Sequence, residues 1–193
     1  MEKINALRNE VYKIAVAHGW HEKKLPDEHF LMLIVCELAE VVEADRKGRR
    51  ADSVQYLEDL GAASSNKTMS CDSYRKYKSD VFALWIKDSV EDELADVFIR
   101  CLDLAGLRHI DLEEEVSDLP LLRQRIYGET MTEWAYHASQ IATDSRCSTE
   151  SKLSLLMFYV STMAGAMDID LEFHVKEKVK YNREREYKHG KRY

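Results

Sequence analysis

Apolar residues recur along this chain at the three-to-four-residue spacing of α-helices, and no Val/Ile-rich segment alternates with the two-residue period of a strand. Helix-start signals reinforce this pattern, with Asp27 as an N-cap after Pro26 and capping boxes beginning at Ser89 and Thr130. Residues 49–72 are mixed and polar, and the stretch ASSNKTMS within them is loop-like. The predicted helices span about 4–18, 27–47, 74–85, 90–106, 131–143, 150–167 and 171–184. We therefore predict an all-α helical bundle.

Four acidic residues interrupt the apolar faces of two of these helices. Residues 30–42 read FLMLIVCELAEVV, in which Glu37 and Glu40 are the only polar residues, and the segment ELAD carries Glu93 and Asp96. Residues three apart share a helix face, so each pair directs two carboxylates the same way. Buried carboxylates are costly unless their charge is compensated. Two such pairs facing each other predict a metal site.

An internal repeat relates two parts of the chain. Residues 91–113 align without gaps to 150–172, sharing an Ala-Gly pair and the run Ile-Asp-Leu-Glu, and residues 132–144 resemble the helix of the first acidic pair more weakly. Chance similarity between amphipathic helices is the alternative. We interpret the chain as a tandem pseudo-dimer, with a first helical unit at 1–116 and a second, degenerate unit at 117–193, packed as one globular domain.

The repeat also bears on the acids. In the first copy they belong to a polar stripe that, viewed alone, also fits a solvated helix face. The second copy replaces this stripe with a different set of side chains, so the unit can fold without the acids. The stripe Glu93, Asp96, Arg100 and Asp103 corresponds to Lys152, Leu155, Tyr159 and Thr162.

Composition narrows the function classes. The chain has 193 residues, of which 45% are hydrophobic and 33% charged, with a net charge of −7 that argues against broad nucleic-acid binding. Its four cysteines form no CxxC pair, and Cys36 and Cys101 lie on apolar stretches where we expect reduced core thiols. The first residues resemble no signal peptide, and no apolar run reaches about 18 residues. We expect a cytoplasmic protein without a membrane span.

Carboxylates without neighbouring His or Cys favour Mg²⁺, with Mn²⁺ as a substitute, over zinc or copper. A di-iron carboxylate bundle is the competing site class, but it uses Glu-x-x-His motifs. The only such motif here is Glu186–His189, in the basic C-terminal segment. Mg²⁺ bound by carboxylates commonly recruits the phosphates of a substrate, so we expect a phosphate-bearing substrate.

The C-terminal segment KEKVKYNREREYKHGKRY supplies the complementary charge. Lys178 and Asn182 lie four residues apart on one predicted helix face, where an ammonium and an amide could bind a di- or triphosphate. A solvated basic tail and a short nucleic-acid-binding tail are the alternatives, and the tail has little aromatic interleaving. We expect no stable nucleic-acid partner.

At this point the chain resembles a family. The segments ELAE and EDELAD and the ending KxxxN…HGK are similar to the MazG-like all-α nucleoside triphosphate pyrophosphohydrolases, relatives of dimeric dUTPases. The similarity covers about 20–48, 85–116 and 170–193. It implies Mg²⁺ ligation by the four acids, phosphate binding by Lys178 and Asn182, and hydrolysis of a nucleoside triphosphate to the monophosphate and pyrophosphate. The longer segment at 49–84 departs from minimal members, and the missing acids of the second copy imply one site per chain. The implied Mg²⁺ ligands are Glu37, Glu40, Glu93 and Asp96.

Two further residues are candidates for substrate binding. Trp20 precedes the second helix, where it could stack on a base or pack as part of a hydrophobic staple, and Lys87 lies just before a capping box and could contact phosphate. No Gly-rich phosphate loop or Ser/His/Asp arrangement occurs, so covalent catalysis is unsupported.

Our first hypothesis is therefore a Mg²⁺-dependent nucleoside triphosphate pyrophosphohydrolase, in which Glu37 or Glu40 positions the attacking water or takes its proton. The second is a non-catalytic nucleotide-binding or assembly protein that retains the fold, motivated by the half-degenerate duplication. The sequence leaves open the nucleotide, the number of metal ions and whether the chain forms a homo-oligomer.

Overall fold

The all-α prediction is confirmed by the computed structural model, which describes residues 4–64, 70–113 and 130–190. These residues contain eight α-helices and no strand. The predicted helix limits agree with the observed ones to within about three residues. The helices are α1 (Ile4–Ala17), α2 (Asp27–Arg46), α3 (Ser53–Ser64), α4 (Cys71–Trp85), α5 (Val90–Arg108), α6 (Met131–Thr143), α7 (Thr149–Ala166) and α8 (Leu171–Arg183), followed by a 3₁₀ turn at Tyr187–Gly190.

Two of the three predicted N-caps are confirmed. The Ser89 hydroxyl accepts the first-turn N–H that begins α5, and Thr130 begins α6 with a complete capping box. The prediction for Asp27 was wrong, because this residue is the first residue of α2 itself. Its carboxylate instead accepts hydrogen bonds from Arg108 (2.5 Å) and Thr149 (2.6 Å), which ties α2 to α5 and α7.

Helix α3 is not among the predicted helices, since the sequence from 49 to 72 is mixed and polar. The helix buries Tyr56 and Ala63 but leaves Val54 and Leu57 more than half exposed. Apolar residues therefore occur on both faces, and the amphipathic signal is weak. Packing against α4 provides the tertiary support that this short helix needs.

Helix α5 lies at the centre of the molecule. It contacts α1, α2, α7 and α8, while α6 packs against α2 and α7 on the far side of the bundle. The approach of α1 is close at Gly106, where an added Cβ would lie 2.5 Å from Cβ of Tyr12. Because helices surround α5, its polar residues are also drawn into the interior, and this position creates the site described below.

The hairpin of α3 and α4 forms a smaller apolar cluster outside the main bundle. Its centre is Phe82, whose ring stacks on Tyr181 of α8 at 4.4 Å between centroids, and Tyr56 donates a hydrogen bond to Glu177 of α8 (2.8 Å). Helices α3 and α4 therefore cover one side of α8.

The proposed duplication stays a prediction. Helices α2 and α5 pack as one pair, α6 and α7 as another, and α8 packs chiefly on α5, but the predicted unit boundary at 116/117 lies outside the described residues. The expectation of core thiols holds for the buried Cys101 and was wrong for Cys36, which lies on an exposed face of α2. In the part of the chain that the structure describes, no helix has the length and apolarity needed to cross a membrane.

Candidate functional site

A cavity of about 270 Å³ lies among α1, α2, α5 and α8. Its walls are mostly apolar along α1 and strongly charged along α2, α5 and α8. All eight residues that the sequence singled out as candidate ligands or substrate contacts line this cavity, although they come from separate parts of the chain. They are Trp20, Glu37, Glu40, Lys87, Glu93, Asp96, Lys178 and Asn182.

The two acidic pairs face each other across the cavity. Carboxylate oxygens of Glu37, Glu93 and Asp96 all lie within 4.8 Å of one another, while Glu40, one turn further along α2, lines the cavity from an exposed position. The three-residue spacing on each helix directs both members of a pair to the same side. Packing of α2 against α5 then brings the pairs together.

Burial raises the pKa of two of these carboxylates. Glu93 is only 4% exposed, and burial together with the charge of Asp96 raises its pKa to about 8. Burial and Asp96 also raise the pKa of Glu37. The Oε2 atom of Glu93 is buried without a hydrogen-bond partner, so one buried oxygen of this group is left for a ligand.

Two cations of the chain already contact the acids. Arg100 donates a hydrogen bond to Glu37 (2.9 Å), and the Nζ atom of Lys178 lies 2.7 Å from Asp92 and 2.8 Å from Asp96. Burial alone would lower the pKa of Lys178, but the attraction of the two aspartates raises it above its usual range. The ammonium therefore stays charged inside the protein.

The sequence assigns no role to three residues that contact this site, although Arg100 and Asp103 belong to the polar stripe. Arg100 lies four residues after Asp96, on the same helix face. Asp103 lies one further turn along and accepts a hydrogen bond from His21 at 2.8 Å. No pattern in the sequence distinguished Asp92, whose role depends on a contact with α8.

The remaining candidates lie around the rim and the apolar wall. The Oδ1 atom of Asn182 is buried without a hydrogen-bond partner, as expected for a residue that awaits a ligand. Lys87 pairs with its neighbour Asp88 at 2.8 Å. Trp20 is partly buried at the cavity wall, a position compatible with both base stacking and core packing.

The donor set fits a hard divalent cation. Three carboxylates converge on one point, one oxygen lacks a partner, and neither His nor Cys belongs to this group of ligand atoms. Glu37, Glu93 and Asp96 would hold the ion, and Glu40 lines the same cavity from α2. Comparisons of this chain with models of known protein families, with curated proteins and with solved structures gave no match.

Proposed function

We propose that the protein is a Mg²⁺-dependent pyrophosphohydrolase that cleaves a nucleoside triphosphate to the monophosphate and pyrophosphate. The observation that carries this proposal is the convergence of Glu37, Glu93 and Asp96, with a partnerless Glu93 oxygen, on a cavity lined by basic and amide side chains. The resemblance of the ELAE and EDELAD segments to MazG-like enzymes supports the same reaction.

The cavity is lined by two kinds of side chain that suit a nucleotide. The acidic and basic residues come mainly from α2, α5 and α8, and the apolar residues include Val11, Ile14 and Ile99, with Trp20 also on the wall. A triphosphate would bind along the charged residues and a base against the apolar ones, where aromatic and aliphatic side chains exclude water. A volume of about 270 Å³ is close to the lower limit of typical small-molecule sites.

A divalent cation would supply positive charge to the triphosphate oxygens and acidify an attacking water. The chain's own residues provide the rest of the site. Glu40 is the better placed of the two candidate bases, because Glu37 is engaged by Arg100 whereas Glu40 is more accessible to solvent. Asn182 would orient a phosphate or sugar oxygen through its amide, and Arg100 keeps Glu37 oriented toward the cavity.

A specific observation also favours the second candidate, a nucleotide-binding protein without catalysis. Arg100 and Lys178 already pair with Glu37 and Asp96. Cations of the chain itself thus balance the negative charges of two of the four predicted metal ligands. A metal ion is therefore less necessary to stabilise these charges.

Release of pyrophosphate from a mixed pool of deoxynucleoside triphosphates tests the two candidates. We expect release with Mg²⁺ and none with excess EDTA. Binding of nucleotides without pyrophosphate release, at saturating Mg²⁺ or Mn²⁺, would refute the hydrolase and support the binding protein. Individual triphosphates from the pool then identify the preferred base.

A further inference from the structure

Three acids of α5, Asp92, Glu93 and Asp96, belong to two neighbouring groups of carboxylates in the part of the chain that the structure describes. The first consists of Glu37, Glu93 and Asp96, and the second of Asp88, Asp92 and Glu93, so that Glu93 is common to both. Within each group, the carboxylate oxygens lie within 4.8 Å of one another. Acidic groups alone do not define a cation site, and a second kind of evidence is needed.

That evidence is the lack of hydrogen-bond partners at two buried carboxylate oxygens. Asp92 is 1% exposed and Glu93 is 4% exposed, and each has one carboxylate oxygen without a hydrogen-bond partner, Oδ1 of Asp92 and Oε2 of Glu93. Buried carboxylate oxygens normally have partners, because desolvation without compensation is costly. The two groups therefore have more capacity to bind positive charge than the chain itself uses.

Lys178 lies between the two groups. Its Nζ atom contacts Oδ2 of Asp92, from the second group, at 2.7 Å and Oδ2 of Asp96, from the first, at 2.8 Å. Phe82 of α4 covers the ammonium, with its ring centroid 5.8 Å from Nζ. Two carboxylates and an aromatic face thus surround a lysine side chain that is 5% exposed.

A second metal ion held by these acids would lie between the two groups, next to the shared Glu93. Two-metal sites hold their ions about 3.5–4 Å apart and share carboxylates between them. An ammonium bridging one acid from each group supplies a single positive charge at that place, and it repels any further cation that approaches.

Building on the proposed metal-dependent function, we propose that the Lys178 ammonium takes the place of a second divalent cation, so that the chain binds one metal ion where its acids could hold two. The α3–α4 hairpin then has a role in the site, because its Phe82 keeps the ammonium covered. Lys178 is in this view an internal counter-ion of the acids, and its direct contact with phosphate is not required.

Mn²⁺ binding in the absence of nucleotide tests this proposal, because its stoichiometry is measured without any activity. We would titrate the full chain with Mn²⁺ and follow free Mn²⁺ by electron paramagnetic resonance. We expect one tight Mn²⁺ per chain in the wild type and two in Lys178→Met. The bound pair should show spin coupling, because two-metal sites hold their ions about 4 Å apart.

Two further variants make the result independent of one substitution. Lys178→Gln removes the charge but keeps a polar amide, and it should also bind two Mn²⁺. Lys180→Met removes an exposed lysine two residues away, which pairs with Glu177 on the same helix, and it should bind one.

The outcomes separate this proposal from the one on which it builds. One Mn²⁺ in the wild type and also in a folded Lys178→Met or Lys178→Gln chain would overturn the role of Lys178 alone, as would two in the wild type. A wild-type chain that binds no Mn²⁺ would overturn the metal site itself and, with it, both proposals.

Discussion

Helices α5 and α7 have aligned sequences and both lie in the core, yet the chemistry around one corresponding position differs. On α5, Arg100 pairs with the buried Glu37 at 2.9 Å. On α7, the corresponding Tyr159 stacks on Trp134, with centroids 5.9 Å apart and ring planes 5° apart. A similar helical framework therefore accommodates a charged site in one place and aromatic packing in the other.

The difference indicates what each helix contributes. Aromatic stacking and apolar burial stabilise the fold directly, whereas buried acids with raised pKa values oppose it in the absence of a bound cation. Acids retained at such a cost suggest a function for α5, while α7 supports the bundle. The predictions below test this division, beginning with the largest expected effect.

Neutral substitutions of the clustered acids on α2 and α5 should abolish the proposed activity. We expect Glu93→Gln, Glu37→Gln and Asp96→Asn to reduce Mg²⁺-dependent pyrophosphate release by about 100-fold or more, because each removes a charged ligand oxygen. Glu43→Gln, on an exposed part of α2, and Lys152→Met, at the α7 position that corresponds to Glu93, should retain it. Near-normal turnover in the three acid variants would contradict the site.

Truncation of the aromatic side chain that α6 packs against α7 should instead destabilise the fold. Trp134 is fully buried, and Trp134→Ala should lower the free energy of unfolding by about 3–5 kcal/mol because it leaves a large cavity. Urea denaturation followed by circular dichroism measures this loss. Tyr136→Ala, an exposed aromatic on the same helix, is the matched control and should change stability by less than about 0.5 kcal/mol. Equal losses of unfolding free energy in both variants would refute a stabilising role for the buried Trp134.

The raised pKa of Glu93 should also make the stability of the fold depend on pH. The pKa of Glu93 rises from 4.5 to about 8 on folding, so between these pH values the folded chain binds more protons than the unfolded chain. Its contribution to stability is therefore complete below pH 4.5 and is lost as the pH rises toward 8.

Melting temperatures in EDTA at pH 5 and pH 8.5 measure this effect, and we expect a decrease of several degrees. Glu93→Gln should flatten the decrease, whereas Glu43→Gln should keep it. A melting temperature that rises with pH by the same amount in wild type and Glu93→Gln would show that Glu93 does not titrate in this way.

Asn182 should have the smallest effect. Its Oδ1 atom lacks a partner in the cavity, so Asn182→Ala removes a ligand contact worth about 0.5–1.5 kcal/mol without breaking a contact of this atom within the chain. We expect a 3–10-fold rise in KM with little change in melting temperature. Gln140→Ala, on the exposed face of α6, is the control. An unchanged KM for Asn182→Ala would exclude Asn182 from substrate binding.

Local patterns were sufficient to predict most of the helices and the two acidic pairs. Helical periodicity and capping residues depend on neighbours within about four positions, so the starts of α5 and α6 could be predicted from Ser89 and Thr130. The same spacing rule placed Glu37 with Glu40 and Glu93 with Asp96. Helix α3 could not be predicted, because its stability depends on packing against α4.

The sequence by itself thus determined seven of the eight described helices and which of their faces carry carboxylates. Only the tertiary structure decided how those charges are compensated, since Lys178 and Asp92 are separated by 86 positions and Arg100 and Glu37 by 63. The physical reason is that compensation depends on distances of about 3 Å between atoms of different helices. No periodicity within a single helix encodes such distances, and the packing of α2 and α8 around α5 creates them.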